Sequence, residues 1–187
     1  MTNPLSQSAE QDIAAVIDFW RDAGPRRWFA KNAAFDAGFR ARFLSQHEAA
    51  AQGKLDDWMN DAFGALALVI LLDQFPRNAF RATPRMYATD TLARQIAAKA
   101  IEAGFDLQAP AELRFFFYLP FAHSENLADQ DRSVELARPL GPEYLKHALE
   151  HREIIERFGR FPHRNGILGR TTTEEEREFL ETGGFAG

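Results

Sequence analysis

The chain has 187 residues with a net charge of −5, 45% hydrophobic and 26% charged residues, and no cysteine. The acidic balance argues against the broad basic face that nucleic acid requires, and the missing cysteines exclude disulfides and thiolate metal sites. A chain of this length buries roughly 70% of its unfolded surface, so one compact domain is expected.

The polar first ten residues carry no basic-then-apolar signal segment, which predicts a cytoplasmic protein. Ile13, Val16, Ile17 and Trp20 then recur at helical spacing, as do Phe35, Phe39 and Phe43, while strict alternation is nearly absent. The spacing predicts helices over 8–23 and 32–52, the second stopped before Gly53. A third helix, 56–75, contains the apolar run 62–72, which is too short for the roughly 20 residues of a membrane span. That run is apolar on every side, so it should be central, with the other helices around it. Pro76 should break it, because proline lacks an N–H and restricts the residue before it.

Thr83 followed by Pro84 reads as a helix start, with a helix over 84–103 closed at Gly104. Further helices are predicted over 110–119 and over 124–138 with Ser124 as N-cap. A helix over 142–158 is opened by Gly141-Pro142 and closed by Gly159, and the last spans 173–182, where Thr173 and Glu176 form a capping-box pattern. The expected fold is therefore all-α, a single domain of about eight antiparallel helices over residues 1–187. It is an irregular bundle or short solenoid, in which no single helix pair shows the 34-residue tetratricopeptide consensus.

Two stretches repeat one chemistry. Residues 72–78 read LDQFPRN and residues 158–165 read FGRFPHRN, each placing Phe-Pro shortly before Arg-Asn. Each is expected to present a guanidinium and an amide at a helix break. Asp73 lies four residues before Arg77, a spacing that suits an ion pair. In the second stretch Arg160, His163, Arg164, Asn165 and Arg170 crowd a glycine-punctuated loop, reversing the global charge, and arginine grips carboxylates and phosphates in bidentate fashion.

The two stretches are expected to meet in one polar cleft, with Arg77, Asn78, Arg160, Arg164, Asn165 and Arg170 as the candidate ligand-binding residues. His163 or His123 is the candidate proton carrier, with Asp73 or Glu125 as its orienter. The competing reading has the same side chains pinning a loop to the helix ends, and gives Ser124 and Glu125 capping roles. His147 and His151 stand four apart on one helix, the spacing of a shared metal. His151 also falls on an apolar stripe, which a buried histidine bonded to a backbone carbonyl explains, and no HExxH string occurs, so no metal and no cofactor are assigned. Neither a GxSxG elbow nor a phosphate-cradling loop is present.

The strings LDQFPRN at 72–78, FFFYLPFAHSE at 115–125, FGRFPHRN at 158–165 and ILGR at 167–170, with Phe19-Trp20 and Trp28-Phe29, are similar to those of the bacterial family designated domain of unknown function 924. The resemblance spans nearly the whole chain and implies a tetratricopeptide-like, all-helical fold. It brings no agreed activity and no catalytic residues. Two functions stay open: a protein that binds or acts on a small anionic metabolite without a metal, and a scaffold that docks a protein or peptide through aromatics such as Trp28, Phe29 and Trp58. An exposed aromatic patch would also suit a homodimer. Nucleic acid and membrane are not expected partners.

Overall fold

Ser6 starts the first helix, Gln7–Ala23, by accepting from the Ala9 N–H at 3.2 Å, and Asn32 starts Ala33–Ala51 by accepting from Phe35. Both belong to a computed structural model that describes residues 5–185. The described residues form helices and turns, with no strand among them. No helix among them is long and apolar enough to cross a membrane. They fall into two compact units. Residues within Met1–Arg81 and Arg85–Pro120 make the first, and those within Ala82–Pro84 and Phe121–Gly187 the second.

In the first unit, the apolar stripes of the first two long helices meet in an aromatic layer. Phe19 stacks on Phe39 at 5.1 Å, and Trp20 meets Phe39 at 5.5 Å and the edge of Phe116 at 5.4 Å. Trp28 donates from Nε1 to the Trp20 carbonyl at 2.6 Å, which ties the short helix Pro25–Trp28 to this layer. Asp61 caps Ala62–Val69 through the N–H groups of Phe63 and Gly64. This apolar helix is interior to the unit, as its composition requires, apart from the half-exposed Phe63. Gly64 is obligatory here, since a Cβ would lie 2.0 Å from the Trp58 carbonyl oxygen.

Pro76 does not break the helix. The chain widens into a π-helical turn, Ile70–Gln74, and continues as Phe75–Ala79. The extra residue in the turn lets the proline ring pass without striking the preceding carbonyls, which is how helices absorb an internal proline. Other boundaries also differ from expectation. Pro84–Tyr87 is a 3₁₀ turn, and the helix expected from 84 starts at Asp90 and ends at Glu102. The segment expected as a helix over 110–119 holds the 3₁₀ turn Arg114–Phe117.

In the second unit Asn126, not Ser124, caps Leu127–Ala137, accepting from Ala128 and Asp129. Ser124 instead donates to Asp129 at 2.6 Å. Leu127–Ala137 packs against Pro142–Phe158 through Val134, Ala137, Leu145 and Ala148. Ile154, Ile155, Phe158, Phe161 and Phe179 form a second apolar cluster. Thr173 and Glu176 make the expected capping box at the start of Glu174–Glu181.

Candidate functional site

The candidate site residues divide between the units, Asp73, Arg77 and Asn78 lying in the first and His123, Glu125, Arg160, His163, Arg164, Asn165 and Arg170 in the second.

The widened turn sets the chemistry of the first group. Phe75 donates its N–H to Ile70, so the Leu71 carbonyl loses its usual donor, and Pro76 has no N–H to offer Leu72. His47 Nδ1 bonds the Leu71 oxygen at 2.9 Å, and the Thr89 hydroxyl donates to the Leu72 oxygen at 2.6 Å. Further along, Arg77 donates to the Asp73 carbonyl at 2.8 Å and Asn78 to that of Gln74 at 2.9 Å. The Arg77 guanidinium also forks onto both oxygens of Asp90, at 2.8 and 3.0 Å, and lies 3.2 Å from the carboxylate of the fully buried Asp73. Burial works against the charge of Arg77, but Asp73 and then Asp90 outweigh it, and its pKa rises.

His47 is buried and stacks on Phe75 at 4.8 Å. Desolvation lowers its pKa, so it is neutral at pH 7. His47, Thr89 and Asp90 had no signal in the local sequence pattern, since their partners lie 24, 17 and 13 residues away.

In the second group two carboxylates organise the arginines. Arg160 forks onto Glu176 at 2.6 and 2.9 Å and donates to the Thr171 carbonyl at 2.8 Å. Asn165 donates to Glu176 at 3.1 Å, and the Thr173 N–H donates to it at 2.8 Å. These bonds, Arg160 foremost, hold the Glu176 carboxyl down to about 2. Arg170 grips both oxygens of Glu125 at 2.8 Å, and Glu125 accepts from the Phe161 N–H at 2.9 Å. Burial opposes the Glu125 charge, yet Arg170, the Phe161 amide and Arg164 together lower its pKa.

Arg164 is buried, donates to the His123 carbonyl at 2.9 Å and lies over the Phe161 ring at 4.6 Å. Around that ring stand His151 at 5.7 Å and His163 at 5.6 Å. Desolvation, with Arg164 next in rank, pushes His163 down to about 3, and desolvation brings His151 to about 4 although its Nδ1 bonds the His147 carbonyl at 2.8 Å. Both are neutral imidazoles at pH 7. The His163 Nδ1 is buried and has no hydrogen-bond partner among the described residues.

Gln130 fixes the turn that carries His123 and Glu125, its amide donating to the carbonyls of Ser124 at 2.6 Å and Ala122 at 2.8 Å. Gln130 was not legible beforehand, because a glutamine inside a helix carries no positional signature. Among the described residues no group of three or more His, Asp or Glu side chains is arranged to hold a metal ion. A hollow of about 290 Å³ in the first unit, beside Ile13 and Phe63, contains none of these residues. Its Arg21 is paired with Asp18 and its Asp61 caps a helix.

The scaffold aromatics divide between core and surface. Trp58 is 3% exposed and belongs to the core, whereas Phe29 is 63% exposed.

The model of the family described as bacterial protein of unknown function, DUF924, matches residues 16–184. The chain is 56% identical to the solved protein of unknown function ATU0120 from Agrobacterium tumefaciens, covering 94% of this chain and 99% of that one with a TM-score of 0.92. A search of curated proteins finds no match. The chain belongs to the DUF924 family.

Proposed function

We propose that this DUF924 protein binds a small anionic metabolite in its second unit, with Arg164 and His163 meeting the ligand and the Glu125–Arg170 pair holding their loop in place. The observation that carries the reading is the buried Nδ1 of His163, unpartnered beside a buried guanidinium. A buried polar atom without a partner costs free energy, and a ligand atom or a bound water would recover it. An anion suits the site because a guanidinium keeps its charge at every working pH and its planar fork matches a carboxylate or a phosphate, and Arg164 is the buried guanidinium here. Arg160 and Arg170 each fork onto a carboxylate of the protein, so they act as positioning residues, and Arg77 belongs to the first unit and takes no part in the site.

Binding rather than proton transfer is the reading. A general base works best with a pKa near the operating pH, and an imidazole held near 3 is a weak one. A thermal-shift screen of carboxylated and phosphorylated metabolites tests it. A ligand at a hundred times its Kd stabilises by about 2.7 kcal/mol, which is about 5–10 °C for a chain of this size. His163→Phe, which keeps the ring contact and removes the nitrogen, and Arg164→Lys should abolish that shift. No shift with any anion refutes the reading.

A second reading, a scaffold that docks a protein partner, rests on Phe29, whose exposed ring sits among the exposed Arg26, Arg27 and Lys31. A captured partner that is lost on Phe29→Ser supports it, and capture unaffected by that change rejects it.

A further inference from the structure

Phe185 is the residue that neither corner explains. Its ring lies 4.6 Å from the ring of His151 and 5.2 Å, edge-on, from that of His163, while remaining 40% exposed. A specific turn puts it there. Gly183 has φ +91, a left-handed value that favours glycine, and the Gly184 N–H donates to the Phe179 carbonyl at 2.9 Å. A Cβ on Gly184 would stand 2.5 Å from that same oxygen and 2.6 Å from the Phe179 ring. Two consecutive glycines thus fold the chain back so that one aromatic side chain covers two neutral imidazoles, one of which carries the unpartnered buried nitrogen.

We propose that the ligand of this site is an aromatic acid, and that Phe185 occupies the subsite its ring would take. The inference rests on the anion-binding reading above and names the ligand class within it. The cradle is made of π-faces and edges, with His151, His163 and Phe161 within 5.7 Å of one another or of Phe185, and such surroundings favour a flat ring over an alkyl group. The cation for the carboxylate is Arg164, on the Phe161 face. Phe185 is then a tethered competitor, and the apparent affinity for a free ligand is lowered by the fraction of molecules in which its ring is seated.

Calorimetric titration of the full chain with phenylacetate, cyclohexylacetate and inorganic phosphate decides it. Phe185→Ala should bind phenylacetate about tenfold or more tightly than the natural chain, by removing the competitor. Gly184→Ala, which leaves the ring in the chain but blocks the turn, should give the same direction of change. Cyclohexylacetate should bind the Phe185→Ala protein several-fold more weakly than phenylacetate. If phosphate or cyclohexylacetate binds but neither substitution improves phenylacetate, the aromatic subsite is wrong while the anion site stands. If no anion binds any of the three proteins, both are wrong.

Discussion

Residues 72–78 and 158–165 share Phe, Pro, Arg and Asn in the same order, yet the two corners solve different problems. In the first, the backbone stays helical and the side chains compensate carbonyls that a proline and a π-turn have stripped of donors, with Arg77 locked between Asp73 and Asp90. In the second, the chain leaves the helix at Gly159, and 3₁₀ and single-turn pieces are tied to carboxylates brought from other segments, Glu125 and Glu176. All the polar groups named in the first corner have found partners, whereas the second keeps a buried imidazole nitrogen that has none among the described residues. The same residue types therefore mark a structural joint in one unit and a candidate binding site in the other, and what separates them is whether the polar atoms are used up.

The largest effect expected is at the structural joint. Arg77→Ala takes the positive charge from between two carboxylates, one fully buried, and should cost about 3–5 kcal/mol, lowering Tm by about 6–20 °C. Lysine should rescue little, because it cannot fork onto Asp90. A loss below about 1 kcal/mol in urea unfolding would erase the distinction between the corners.

Next is Glu176→Gln, which breaks the Arg160 fork and weakens the capping box, for about 1–3 kcal/mol. Its signature is acid sensitivity. The folded pKa is depressed, so the contribution is present above the ordinary value of 4.5 and is lost as pH falls towards about 2. The variant should therefore lose stability less steeply than the natural chain across that range.

The histidines sharpen the comparison at milder pH. His151 and His163, like His47, have folded pKa values below 6.5, so below that pH the unfolded chain binds protons that the folded chain refuses. Stability should fall with decreasing pH by up to about 1.4 kcal/mol per unit for each of His151 and His163, levelling near about 4 for His151 and about 3 for His163. Unfolding of His163→Phe between pH 6.5 and 5 should show the slope reduced by one proton. An unchanged slope would mean that His163 is not held neutral.

The smallest effect is Thr89→Val. It removes one donor from the Leu72 carbonyl and should cost about 1 kcal/mol, measured by thermal or urea unfolding. No change would mean that another donor reaches this carbonyl.

Periodicity alone carried the all-helical architecture, the interior position of the apolar helix, the glycine stops and the Thr173–Glu176 box, because each depends on residues within one or two turns of one another. The clustering of arginines with an adjacent histidine and asparagine at 160–170 was equally legible, as was the Asp73–Arg77 spacing. Pro76 misled because proline's local cost is fixed but its remedy is not. His47 and Thr89, distant in sequence, supply donors that only packing brings near. Trp58 misled for the same reason, since aromatic side chains serve core and surface alike. Whether an arginine faces a ligand or a carboxylate, and whether a histidine nitrogen is used or left over, are decided by partners from other segments. Hydrogen bonds and charge pairs act over a few ångströms in space regardless of separation along the chain.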